Sequence, residues 1–237
     1  MKKTLLFILL STSATTFFSC SSDDDNNNSS DLTNTLVPSK IVSNNNEFEE
    51  YSYDANRYLT RLTSVYSNQI TVFDFTYTNN RLTKTIKSSG QNRVEYNFRY
   101  EGNTIILVDI KENNETLDPI ALTVNTDGTL NNYNGNSYTY ENGNLVLRFN
   151  SSDNTKYTYN SNLSITKNVR TSGWVYSFFG IYPDNNNKNL TETYTDSYNN
   201  KTITVSYSDY AVDGNLFPQK MTMDNGFQGQ ITYTEVK

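Results

Sequence analysis

The chain has 237 residues, 35% hydrophobic and 14% aromatic, with a mean hydropathy of −0.68 and a net charge of −6. An acidic surface repels phosphate backbones, which bind through Lys and Arg, so nucleic acid is excluded as a partner. Histidine is absent and Cys20 is the sole cysteine, which excludes an intrachain disulfide, Cys/His zinc sites and histidine-activated nucleophiles.

Met1-Lys2-Lys3 is a basic start, and the apolar run from Leu5 continues brokenly to Phe17-Phe18. It is too short, and too polar in its middle, to cross a bilayer as a helix, so residues 1–19 read as a signal peptide. Phe17-Phe18-Ser19-Cys20 resembles the lipobox of bacterial lipoproteins, with Phe17 where leucine is usual. The resemblance implies lipidation at Cys20, and two or more acyl chains would tether the protein stably to the outer membrane without spanning it. Ser22, Asp23, Asp24 and Asp25 are similar to the acidic export signal of Bacteroidota lipoproteins, which implies display on the cell exterior. Residues 20–38 are acidic, Asn-rich and without apolar periodicity, as expected of a disordered tether.

Residues 39–237 read as one β domain. With 19 Tyr and 12 Phe against 10 Gly and 4 Pro, and asparagine at about one residue in seven, the composition suits many short strands joined by Asn turns. The clearest unit is Tyr138–Phe149: Tyr138 and Tyr140 share a strand face, Glu141-Asn142-Gly143-Asn144 is a turn, and Leu145, Leu147 and Phe149 resume the alternation. Imperfect copies carry Tyr51 and Tyr53, Phe75 and Tyr77, Phe98 and Tyr100, a degenerate Val124, and Tyr157 and Tyr159. The residue between the aromatics is polar in each, as in Ser52, Thr76, Arg99, Thr139 and Thr158. One face is therefore apolar and the other wet. The pattern predicts an all-β antiparallel meander of repeated hairpins, one twisted sheet curling into an open or closed barrel.

Tyr51-Ser-Tyr53-Asp54, followed by Arg57, Leu59 and Thr60, resembles the YD repeats of Rhs-type proteins. Together with Trp174–Tyr182, Lys188-Asn189-Leu190, Tyr210–Pro218 and a last strand near Ile231–Tyr233, the body is similar to a family of Bacteroidota surface lipoproteins described as porin-like. That resemblance covers about residues 40–237 and implies architecture only. Trp174–Pro183 is apolar without a period of two, so it reads as a loop or short helix plugging one end of the sheet. Its other reading is an aromatic sugar platform made of Trp174, Tyr176 and Tyr182. Pro183–Asn187 is expected to be an exposed turn.

The chemistry that remains is sparse. Asp74, Glu95 and Asp109 alternate with apolar residues, which suits solvated strand faces better than the paired carboxylates of a glycosidase. Asp127-Gly128 and Asp213-Gly214 read as turns and not as calcium loops. The expectation is a protein without catalytic residues, metal or cofactor, anchored through its lipid and acting as a non-enzymatic binding module for a glycan or a protein. Two alternatives stay open: a carrier of a lipid or other apolar ligand inside the curled sheet, and a glycoside hydrolase working with carboxylates alone.

Overall fold

The computed structural model describes residues 35–151, 153–181, 187–196, 201–212 and 216–236. Its sixteen strands are β1 (Leu36–Ser43), β2 (Phe48–Tyr53), β3 (Leu59–Tyr66), β4 (Gln69–Thr78), β5 (Arg81–Ser89), β6 (Asn92–Glu101), β7 (Ile105–Glu112), β8 (Glu115–Val124), β9 (Leu130–Tyr133), β10 (Asn136–Glu141), β11 (Asn144–Phe149), β12 (Asn154–Leu163), β13 (Asn189–Asp196), β14 (Lys201–Val212), β15 (Leu216–Met223) and β16 (Gln228–Glu235). Each pairs antiparallel with its neighbours in sequence, and β16 returns to pair with β1, from Leu36↔Glu235 to Ser43↔Gly229. The sheet is a closed up-and-down barrel, which leaves no edge strand free to recruit another chain. β1 begins at Leu36, so the β domain starts ahead of the residue-39 boundary read from composition.

Asparagine makes the short connections. At Ser67-Asn68, Asn79-Asn80, Asn113-Asn114, Asn134-Gly135 and Asn142-Gly143 both central residues have positive φ, as a type I′ hairpin turn requires. Asparagine and glycine enter that region most easily, because a short amide side chain or none avoids the clash that β-branched residues meet there.

The aromatic pairs point inward. Tyr51, Phe73, Phe75 and Phe98 are buried, and Tyr53, Tyr77, Tyr100 and Tyr138 pack against the same core. The turns that follow these pairs gather at one end, here called the base. The chain between β12 and β13 folds over that end from inside. Arg170 N–H donates to Arg57 O at 3.0 Å, Trp174 N–H to Gly128 O at 3.0 Å, and Asn168 Nδ2 to Leu36 O at 2.8 Å. Within this segment α1 (Gly173–Phe179) ends on Gly180, whose φ of 63° is left-handed and whose N–H is donated to Tyr176 O. Seven residues are too few to hold a helix by propensity, so packing holds it.

The outer wall is polar and charged. Lys40–Glu50, Arg61–Asp74, Lys84–Glu95 and Arg99–Asp109 form cross-strand ion pairs there, at 3.5, 3.1, 2.8 and 2.8 Å. Threonine pairs continue the polar surface, with Thr158 against Thr193 at 2.8 Å and Thr195 against Thr202 at 2.7 Å. A short row of apolar residues also faces outward at the opposite rim, where Val42, Phe48, Val65 and Ile70 are cross-strand neighbours.

Candidate ligand cavity in the barrel lumen

The plug does not fill the barrel evenly. Phe179 meets Phe73, Phe75, Tyr96 and Phe98 at ring separations of 5.5, 5.6, 5.3 and 6.3 Å, and Phe178 meets Tyr133 at 5.0 Å. Trp174 packs edge-on against Phe98 at 5.4 Å. These edge-to-face contacts press α1 against the β4–β9 wall. The facing wall, β11–β15, is left with a cavity of about 370 Å³, within the size range of small-molecule sites.

The cavity has a polar floor, apolar sides and a cation toward the mouth. Ser164, Asn187 and Asn189 lie at the base with Ile165 and Leu190. Tyr157, Tyr194 and Tyr207, with Val205 and Met223, form the sides. Tyr157 and Tyr194 are direct cross-strand partners, as are Val205 and Met223. Toward the mouth stand Thr155 and Arg148, and Arg148 Nη2 donates to Thr155 Oγ1 at 3.2 Å.

The floor is held by an amide clasp. Asn144 Nδ2 donates to Asn189 Oδ1 at 3.0 Å, Asn189 N–H donates back to Asn144 Oδ1 at 2.8 Å, and Leu145 N–H donates to Asn187 Oδ1 at 2.8 Å. Asn187 is therefore buried in the clasp and not part of an exposed turn. The reason is that the β11 N-terminus needs acceptors where the plug segment rejoins the sheet. Residues 183–186 lie outside the described residues.

A β-bulge sets the cation. Thr139 pairs with Leu147 and Tyr140 with Leu145, so Val146 is extra on β11. The extra residue inverts the alternation beyond it. Leu147 and Phe149 then face outward, with Phe149 47% exposed, and Arg148 turns into the lumen beside Tyr138 and Thr155. This corrects the sequence reading of the hairpin, in which Leu145, Leu147 and Phe149 shared one face. Arg148 was missed for that reason. The available signal was the neighbouring copies, where the residue after the recurring leucine, Thr60 or Thr83, is also a bulge.

The aromatic platform does not form at the surface. Trp174 is 3% exposed and Tyr176 0%, and both rings belong to the core, so neither offers an open face to a sugar. The apolar run that suggested a platform serves as the plug instead. Tyr182, together with Cys20, Ser22, Asp23, Asp24, Asp25 and the Asp213-Gly214 pair, lies outside the described residues.

The carboxylates considered for hydrolysis are dispersed on the outer wall. Asp74 pairs with Arg61, Glu95 with Lys84 and Asp109 with Arg99, on separate strand pairs and not across a cleft. Hydrogen bonds from Lys84 and Asn97 hold the Glu95 carboxyl below its ordinary range, and Arg99 does the same for Asp109. Asp127 closes its own turn, accepting from Thr129 N–H at 3.0 Å and from Thr129 Oγ1 at 2.7 Å. Among the described residues no three His, Cys, Asp or Glu side chains gather as a metal site would need.

Burial also shifts the phenols of the plug helix and of the wall away from the cavity. Tyr53, Tyr77 and Tyr176 are pushed well above the usual tyrosine value by desolvation, reinforced at Tyr53 and Tyr176 by the nearby Tyr77; the Thr171 hydroxyl opposes this at Tyr77. Tyr100 rises to about 12 through burial, opposed by the Arg81 cation and by its 2.9 Å hydrogen bond to Leu82 O.

No family model matches the chain, and no curated protein matches it. Among solved structures the chain is similar to a porin-like protein from Bacteroides uniformis, at 12% identity and a TM-score of 0.47, over 84% of this chain and 98% of that one.

Proposed function

We propose that the protein is a non-enzymatic carrier, held to the outer membrane by a lipid on Cys20 and displayed on the cell exterior, whose barrel lumen binds a small, largely apolar ligand. The observation that carries this reading is the 370 Å³ cavity lined by Tyr157, Tyr194, Tyr207, Val205 and Met223. A lumen packed solid with its own tyrosines would have left no such space. The burial of Trp174 and Tyr176 removes the aromatic surface on which a glycan-binding reading depended. The outer wall supports a barrel surrounded by water, because a cation at the bilayer midplane on a lipid-facing strand costs about 2–4 kcal/mol, and Lys40, Arg61, Lys84 and Arg99 all stand there.

The test uses the mature chain from residue 20 with Cys20→Ser and a neutral apolar fluorophore, N-phenyl-1-naphthylamine. Saturable binding is expected, and Val205→Trp, which fills the cavity, should weaken it by about tenfold or more. Binding that is unaffected by Val205→Trp in a folded variant would sink the lumen reading. The anchor is checked separately: incorporation of an alkynyl fatty acid in cells should be lost in Cys20→Ala, and protease treatment of intact cells should remove the barrel.

A further inference from the structure

Arg148 occupies a place that the repeat otherwise gives to the core. In the hairpins β2–β3, β4–β5 and β10–β11 a bulge follows Leu59, Leu82 and Leu145, and the next inward residues are Leu62, Thr85 and Arg148. Leu62 is 1% exposed and Thr85 0%, so two of the three equivalent positions are sealed interior. The third points a guanidinium into the cavity. Drawing a cation from water toward an apolar lining is unfavourable unless its donors are used, and its described hydrogen bond, to Thr155 Oγ1, uses one. All four described ion pairs lie on the outer wall and none includes Arg148.

A guanidinium presents five N–H donors in a planar fork whose spacing matches a carboxylate. The sides below it are phenol rings, Val205 and Met223, and the deep end carries Ile165 and Leu190 beside Ser164 and the clasp amides Asn187 and Asn189, which are hydrogen-bonded to Leu145 and Asn144. The chain as a whole is acidic, so a negatively charged ligand needs a local cation to hold it. We infer that the lumen binds a carboxylate-bearing amphiphile, with its carboxylate on Arg148 near the mouth and its apolar tail running between the tyrosines toward the base. This assignment rests on the lumen being the ligand site, as proposed above. It adds the charge of the ligand and the direction in which it lies.

The experiment compares decanoate with 1-decanol, which share a tail and differ in the headgroup, by calorimetric titration of the mature Cys20→Ser chain at neutral pH. Decanoate should bind about tenfold or more tighter than the alcohol. Arg148→Met should erase that preference, so that acid and alcohol bind alike, and Arg148→Lys should keep part of it, because an ammonium retains the charge but not the fork. Equal binding of acid and alcohol by the wild-type chain, or tighter binding of the alcohol, overturns the assignment and leaves the lumen reading intact. The same holds if Arg148→Met keeps the full preference. Binding of neither probe removes the lumen reading and the assignment together. The wild-type comparison stands even if a variant misfolds, and a β-sheet dichroism spectrum like that of the wild-type chain certifies the fold of Arg148→Met.

Discussion

Among single residues, Trp174 reports most directly on how the interior is built. It is the sole tryptophan, it is buried between Phe98 and Phe178, and its backbone N–H donates to a base turn at Gly128 O. Its emission should be blue-shifted and poorly quenched by iodide in the folded chain. Trp174→Ala should lower the unfolding free energy by about 3–5 kcal/mol, measured by urea denaturation, since the plug cannot collapse to fill the space of an indole. A red-shifted, fully quenched emission would place the ring in solvent and revive the platform reading. The residues that make the fold legible are of a different kind. Asn80, Asn114 and Asn142 take positive φ with little penalty and so write the hairpin turns into the sequence.

Between elements, the hairpins were readable because two signals coincide: an aromatic pair two apart, then an Asn or Gly turn. Even the degenerate copy at Val124 proves to be the β8–β9 pair, with Val124 and Leu130 both buried and directly paired. The plug was readable as a stretch where the period of two stops. Three things were not. Closure depends on β1 meeting β16 across nearly the whole chain, which no local pattern encodes. β14 and β15 lack the aromatic-pair signature, since Ile203, Val205 and Met221 do the inward packing there. The bulges escape any alternation count, because one extra residue exchanges the faces of everything after it. The contact between the β8–β9 turn and the plug gives a test at this scale. Gly128 has φ +82°, and an added Cβ would lie 3.4 Å from Ser172 Oγ. Gly128→Ala should therefore destabilise by about 1–2 kcal/mol through the left-handed backbone and loosen the plug locally. Hydrogen exchange should rise at the Trp174 and Val175 amides before it rises in the strands. The charged pairs outside will matter far less, because water screens exposed pairs and holding two long side chains in place costs entropy.

At the scale of the whole molecule, the interior is stabilised by phenols kept neutral. With no histidine, the chain has no side chain whose ordinary titration falls near pH 6.5. The resolved tyrosine shifts are upward, at Tyr51, Tyr53, Tyr77, Tyr96, Tyr100, Tyr133, Tyr140, Tyr176 and Tyr233, and burial is the leading cause at each. A group raised on folding contributes stability that is complete below its unfolded value. That contribution falls as pH climbs from about 10 toward the folded value, because the unfolded chain releases the proton first. Each buried phenol then removes up to about 1.4 kcal/mol per pH unit. Tyrosinate absorbance and loss of the β-sheet dichroism should thus rise together in one cooperative step above pH 10. A smooth titration of the phenols with the dichroism unchanged would contradict the packed interior. The start of β1 and the finish of β16 meet at the plugged end, where Leu36 faces Glu235. A bead or a tag at either extremity therefore grips the vessel by its foot and leaves the far rim clear, the side by which the carrier proposed above would exchange its cargo with the surrounding fluid.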